Sequence, residues 1–132
     1  MNILLWVLQV LLALAFLAHG WLLLAPPANL IEQMNEIMST EFRIFLGTAE
    51  VLAAVGLTLP GLTRIAVLLV PAAAAGITIV MVAATVLHLQ RGEISSAVTT
   101  MVLLVLAAFV AYMRWKVRPI VRRSGASAPV TS

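Results

Sequence analysis

Four apolar stretches, at about residues 3–25, 44–60, 65–89 and 94–113, fill most of this 132-residue chain. An α-helix needs about 20 apolar residues to cross about 30 Å of hydrocarbon at 1.5 Å per residue. Three stretches meet that length, and the second gains it if Glu41 to Arg43 join the same helix. Lipid admits only helices or closed barrels, and these runs show no period-2 alternation. The expectation is therefore an all-α, integral membrane four-helix bundle. Composition agrees, because 63% apolar residues, 10% charged residues and a mean hydropathy of +1.12 lie outside soluble averages. The predicted organisation is one transmembrane domain over residues 1–115, with spans at about 3–25, 43–60, 65–89 and 94–113. A basic tail over 116–132 is expected to be disordered and cytoplasmic.

The first stretch has no basic residue before it and is longer than a signal-peptide core, so it reads as a permanent anchor. The absence of cysteine excludes disulfides, thiol redox chemistry, iron–sulfur ligation and covalent c-type haem. A sequence pI of 10.7 does not point to nucleic acid here. Five of the eight basic residues, Arg114, Lys116, Arg118, Arg122 and Arg123, follow the last span directly. That is the positive-inside signature. With four spans both termini share a side with the Pro60–Arg64 turn, and the other side holds only Arg43 and Arg91, so the topology reads N-in, C-in.

Two connections are too short for anything but tight antiparallel hairpins: Pro60-Gly61-Leu62-Thr63-Arg64 and Gln90-Arg91-Gly92-Glu93. The first connection is long. Within it Leu30, Ile31, Met34, Ile37 and Met38 recur at helical spacing opposite Glu32, Gln33, Asn35 and Glu36. Asn29 with Glu32 suggests a capping box, and Ser39 or Thr40 a cap for the next helix. The expectation is a short amphipathic helix in the outer loop between the first two spans, packed as a lid on the bundle mouth or lying as a plain interfacial connector.

Glu50 lies within an otherwise apolar run broken only by Thr48 and Thr58. A carboxylate in hydrocarbon costs a few kcal/mol or more (~3 on insertion scales), so such residues face the bundle interior and mark sites. Arg43, Gly47, Glu50 and Ala54 fall on one helical stripe, and Met81, Ala84, Thr85 and His88 on another. Gly47 would let a neighbouring backbone approach, and Pro71 followed by small residues would bend the third span. In the N-in topology His19, Glu50, Thr85, His88, Ser95, Ser96, Thr99 and Thr100 all fall in the outer half. The inner half offers mainly Gln9 and Thr58. One pocket opening outward is expected, with Glu50 exchanging a proton or hydrogen bonding, Arg43 and Arg91 as its electrostatic neighbours, and His19, His88, Thr85 and Thr99 as polar lining. The competing reading is that these residues fix helix register through interhelical bonds. Trp6, Trp21, Tyr112 and Trp115 read as interfacial anchors. The two histidines could clamp a b-type haem, but two histidines without partner geometry favour that weakly. No metal site is indicated.

Three pieces carry a resemblance to a known group. They are Arg43-x-x-x-Gly47-x-x-Glu50 running on to Gly56-Leu57-x-Leu59-Pro60, His88-Leu89-x-Arg91-Gly92-Glu93, and Phe109-Val110-Ala111-Tyr112-x-Arg114-Trp115. Together they resemble the DoxX and DoxX-like family over nearly the whole chain except the tail. The resemblance implies a four-helix protein of the bacterial inner membrane, some members being associated with quinone-linked oxidation of sulfur compounds or with membrane oxidoreductase complexes. Where the family's first helix often carries a lysine three residues after a glycine, this chain has Leu23 after Gly20.

The sequence thus leads to an accessory membrane subunit with an outer-half pocket for a small apolar molecule, such as a quinone or isoprenoid, or for a partner. No intrinsic cofactor is evident beyond that quinone. Expected partners are the bilayer, membrane oxidoreductase subunits or a second copy of the chain, and not nucleic acid. The alternatives are a quinone-linked oxidoreductase subunit proper and a purely structural assembly factor. No inverted repeat or inner-half set of charges marks a transporter.

Overall fold

The computed structural model describes residues 2–124. The chain forms α1 (Asn2–Leu24), α2 (Ala28–Ile37), α3 (Thr40–Thr63), α4 (Leu69–Gln90) and α5 (Ile94–Tyr112), and closes α5 with a π-helical turn, Met113–Val117. Among the described residues there is no strand. Helices α1, α3 and α4, and α5 together with its π turn, are each long and apolar enough to cross a membrane. The tail expected to be disordered falls partly, at residues 125–132, outside the described residues.

The four long helices alternate in direction, so the bundle has a linker end, where α2 and the Arg91–Glu93 hairpin sit, and a terminal end. The most extensive packing is α1 on α3 and α4 on α5, joined by α3 on α4 and α1 on α5. Leu12, Phe16, Ala54, Leu57, Ala74, Ile77, Met81, Ala107 and Val110 fill the centre. The outside carries large apolar side chains, among them Ile3, Trp21, Phe45, Leu52, Ile79 and Val105. Buried inside are Gln9, Arg43, Glu50, Thr85 and Arg114. Polar groups inside and apolar groups outside is the arrangement a hydrocarbon solvent selects.

The α1–α3 contact follows from two glycines. A Cβ on Gly20 would sit 2.8 Å from the Gly47 carbonyl oxygen, and one on Gly47 would sit 2.9 Å from the Gly20 carbonyl oxygen. The backbones therefore meet directly at this crossing, as the place of Gly47 beside Glu50 led us to expect.

Several boundaries differ from the sequence reading. Helix α3 continues through Pro60 to Thr63. Membrane helices tolerate such a proline because neighbouring helices, Ser/Thr side chains, water or local backbone adjustments re-satisfy the freed backbone groups. The turn is instead made by Arg64 to Leu68, with Arg64 and Ala66 at positive φ. Pro71 lies in the first turn of α4 and makes no mid-helix bend, since the first four N–H groups of a helix lack partners in any case. Helix α2 starts at Ala28 after Pro27 without a side-chain cap, so the Asn29–Glu32 capping box does not form. Ser39 does cap α3, its hydroxyl oxygen accepting from the Phe42 N–H at 3.2 Å. In α2 only Leu30 and Met34 are partly buried, on one stripe with Met38 just beyond.

Candidate functional site

Glu50 sits on the buried stripe of α3, with Arg43, Gly47 and Ala54 on the same face. The Gly20–Gly47 crossing brings α1 close enough for His19 to reach it, and His19 Nδ1 lies 2.6 Å from Glu50 Oε2. With the carboxylate ionised, Nδ1–H donates and Nε2 is the acceptor of the neutral ring. Glu50 is only 4% exposed while the His19 side chain is 55% exposed, so the histidine is the reachable member of the pair. A carboxylate and an imidazole sharing a proton can donate to, or accept from, an oxygen placed against them.

Arg43 has a different task from the expected one. Its Nη1 donates to the Leu23 carbonyl at the end of α1. The last turn of α1 holds no basic residue of its own, and the last four carbonyls of a helix lack intrahelical partners. Arg43 thus caps α1 from α3 and complements its negative end. It makes no ion pair with Glu50 among the described residues.

At the hairpin between α4 and α5 the backbone makes a Schellman cap. The Gly92 N–H donates to the Leu89 carbonyl at 3.1 Å, and the Glu93 N–H to the His88 carbonyl at 2.9 Å. Gly92 takes φ +72°, the left-handed conformation this cap requires. The cap folds Glu93 back over the helix, so Glu93 Oε2 lies 2.5 Å from His88 Nδ1 and Oε1 lies 3.3 Å from Arg91 Nε. His88 and Arg91 therefore converge on Glu93 and not on Glu50. Glu93, named in the sequence within the hairpin and the family-like motif, was not among the expected site residues; the sequence signal for its role was Gly92 directly before it.

The Thr85 hydroxyl donates to that of Thr100 at 2.9 Å, tying α4 to α5. Thr85 is buried at that contact. Thr99 is exposed, its hydroxyl bonded to the Ser95 carbonyl at 3.1 Å.

These groups border a cavity of about 510 Å³ at the linker end. His19, Glu50, His88, Arg91, Glu93, Ser95, Ser96, Thr99 and Thr100 supply its polar lining, and Met34, Ile37 and Met38 contribute from α2 and its end. Of the expected site residues, His19, Glu50, His88, Arg91 and Thr99 border it, while Arg43 and Thr85 support it from outside. The volume lies in the range of sites for small organic molecules.

A second polar cluster was not legible in the sequence. Arg114, counted there among the charges following the last span, is 3% exposed. Its Nε donates to Gln9 Oε1 at 2.5 Å and its Nη1 to Asn2 Oδ1 at 2.7 Å, while Gln9 Nε2 donates to the Leu57 carbonyl at 2.7 Å. The guanidinium also lies 5.4 Å from the Trp6 ring centroid. Trp6, read as an interfacial anchor, is partly buried and lies against Gly61.

No curated protein and no solved structure matches the chain. A family model, that of the DoxX-like family, matches residues 7–110. That match runs from the first turns of α1 almost to the end of α5 and takes in both histidine–carboxylate pairs, and on it the chain belongs to the DoxX-like family.

Proposed function

We propose that the chain is an accessory subunit of the bacterial inner membrane whose linker-end chamber binds the head of a small, membrane-soluble molecule of the quinone or isoprenoid class. The observation that carries this reading is the His19–Glu50 pair at 2.6 Å on the wall of a 510 Å³ chamber. A buried carboxylate is costly in a bilayer, and a reachable imidazole bonded to it offers the head a proton donor or acceptor. Two carboxylates, Glu50 and Glu93, and one arginine, Arg91, border the chamber. That balance disfavours a phosphate head and favours a neutral one bearing oxygens that hydrogen-bond. Both termini are taken as cytoplasmic on the distribution of six Lys/Arg against two, which puts the chamber in the outer half and α2 across its mouth. Partner oxidoreductase subunits would supply or withdraw electrons, the chain itself holding and orienting the ring.

The test is binding of a tailless benzoquinone or naphthoquinone to purified protein in nanodiscs, together with mass spectrometry of the lipids and polypeptides that copurify from native membranes. Glu50→Gln and His19→Ala are expected to abolish binding while insertion and abundance stay near wild type. Glu50→Leu, which also removes hydrogen bonding, is the companion variant. A fully binding Glu50→Gln beside a misassembled Glu50→Leu would refute the site and leave a structural assembly role for the polar groups.

A further inference from the structure

A second cavity, of about 550 Å³, lies between α3 and α4. It is bordered by Gly56, Pro60 and Leu69 toward the terminal end, by Ala73 and Gly76 along α4, and by Glu50 at its upper limit. Phe16, Glu50 and Val80 border this groove and the polar chamber alike. The two cavities are thus neighbours, with Phe16, Glu50 and Val80 as their common wall. From Glu50 to Pro60 the groove descends about 15 Å along α3. Every residue along it except Glu50 is apolar, and its rim residues Leu52, Val55, Leu59 and Leu69 are exposed on the face turned to lipid.

We infer that this groove holds the first units of the isoprenyl tail of the molecule whose head occupies the chamber, and that the molecule enters sideways from the bilayer between α3 and α4. This rests on the proposed head site. A polar pocket beside an apolar slot, with Glu50 in the wall of both, matches an amphiphile with a hydrogen-bonding head and a hydrocarbon tail. The neutral head favoured by the chamber's charges selects an isoprenoid quinone or quinol over a phospholipid. A slot of about 15 Å takes only the first few isoprene units, and the remainder stays in the bilayer. Because lipid tails are as apolar as the groove wall, the groove gives the tail no hydrophobic advantage. Its effect is steric: it gives a tailed molecule room to seat its head.

Gly76 makes the test clean. Gly76 borders the groove and a Cβ there meets nothing within 4 Å, so Gly76→Leu adds bulk at the slot with no clash at its Cβ. In nanodiscs the variant is expected to bind a tailless quinone as the wild type does and a quinone with several isoprene units about tenfold more weakly or worse, the usual scale of an overpacking penalty. Gly76→Phe serves as the larger plug should a tail slip past leucine. Equal affinity for the tailed quinone in wild type and both plugged variants would overturn the tail path while leaving the head site intact. A plug that displaces copurifying phospholipid and leaves the tailed quinone untouched would assign the groove to bilayer acyl chains and overturn it as well. If neither quinone binds the wild-type protein, the head site fails and the tail path with it.

Discussion

Replacing Arg114 with methionine tests whether a buried guanidinium holds the terminal end of the bundle together. The side chain is 3% exposed and donates to Gln9, to Asn2 and to the Arg118 carbonyl, the last at 3.3 Å. Removing it leaves the buried Gln9 Oε1 without a donor, at about 1–3 kcal/mol. It also loses the contact with Trp6, at about 0.5–2 kcal/mol. Asn2 is exposed and finds other partners. Against these losses stands relief of a buried charge whose Nη2 has no partner. The expected net loss is about 1–3 kcal/mol for Arg114→Met. Adding Gln9→Leu should recover roughly half of it, because the orphaned amide is removed and the Leu57 carbonyl stays within the α3 ladder. Arg114→Lys should fall between, since an ammonium keeps the charge and loses the fork that spans Gln9 and Asn2. Unfolding in mixed micelles with SDS, read by helical circular dichroism, gives the double-mutant cycle directly. A loss below about 0.5 kcal/mol for Arg114→Met, or a double variant whose loss equals the sum of the two singles, would refute the reasoning.

At the α1–α3 crossing, Gly47→Val is expected to lower stability in detergent by about 1–3 kcal/mol or more, since its Cβ would lie 2.9 Å from a backbone oxygen. Gly76→Ala, placed where a Cβ meets nothing, should stay near wild type in the same melt. Gly92→Ala, at φ +72°, should cost about 1 kcal/mol and loosen Glu93 from His88, which NMR of a labelled histidine ring would register. Cytoplasm-only reporters inserted at Gly61 or fused after Ser132 should be active and those inserted between Pro26 and Thr40 inactive; the reverse pattern would move the chamber to the cytoplasmic half.

Much of the architecture was set by the sequence alone, because the bilayer fixes helix length and forbids unpaired backbone. Four runs of the right length therefore gave four helices, and the short hairpins gave their antiparallel order. The stripe carrying Gly47 and Glu50 was legible for the same reason: a carboxylate in such a run has to face inward. Polar partnerships were decided only in the folded chain. His19 meets Glu50 because two glycines 27 residues apart let α1 and α3 touch. Arg43, on the same stripe as Glu50, instead donates to the Leu23 carbonyl at the end of α1. Glu93 finds His88 because a left-handed glycine reverses the chain between them. Arg114 looked like one more positive charge beyond the last span until the π turn after α5 carried it under Trp6 to Gln9. Apart from that hairpin pair, each of these pairings is a long-range choice among donors and acceptors that periodicity leaves equivalent. Which one forms depends on where the helices cross, and that is set by side-chain volumes on two helices at once, which no single stretch of sequence contains.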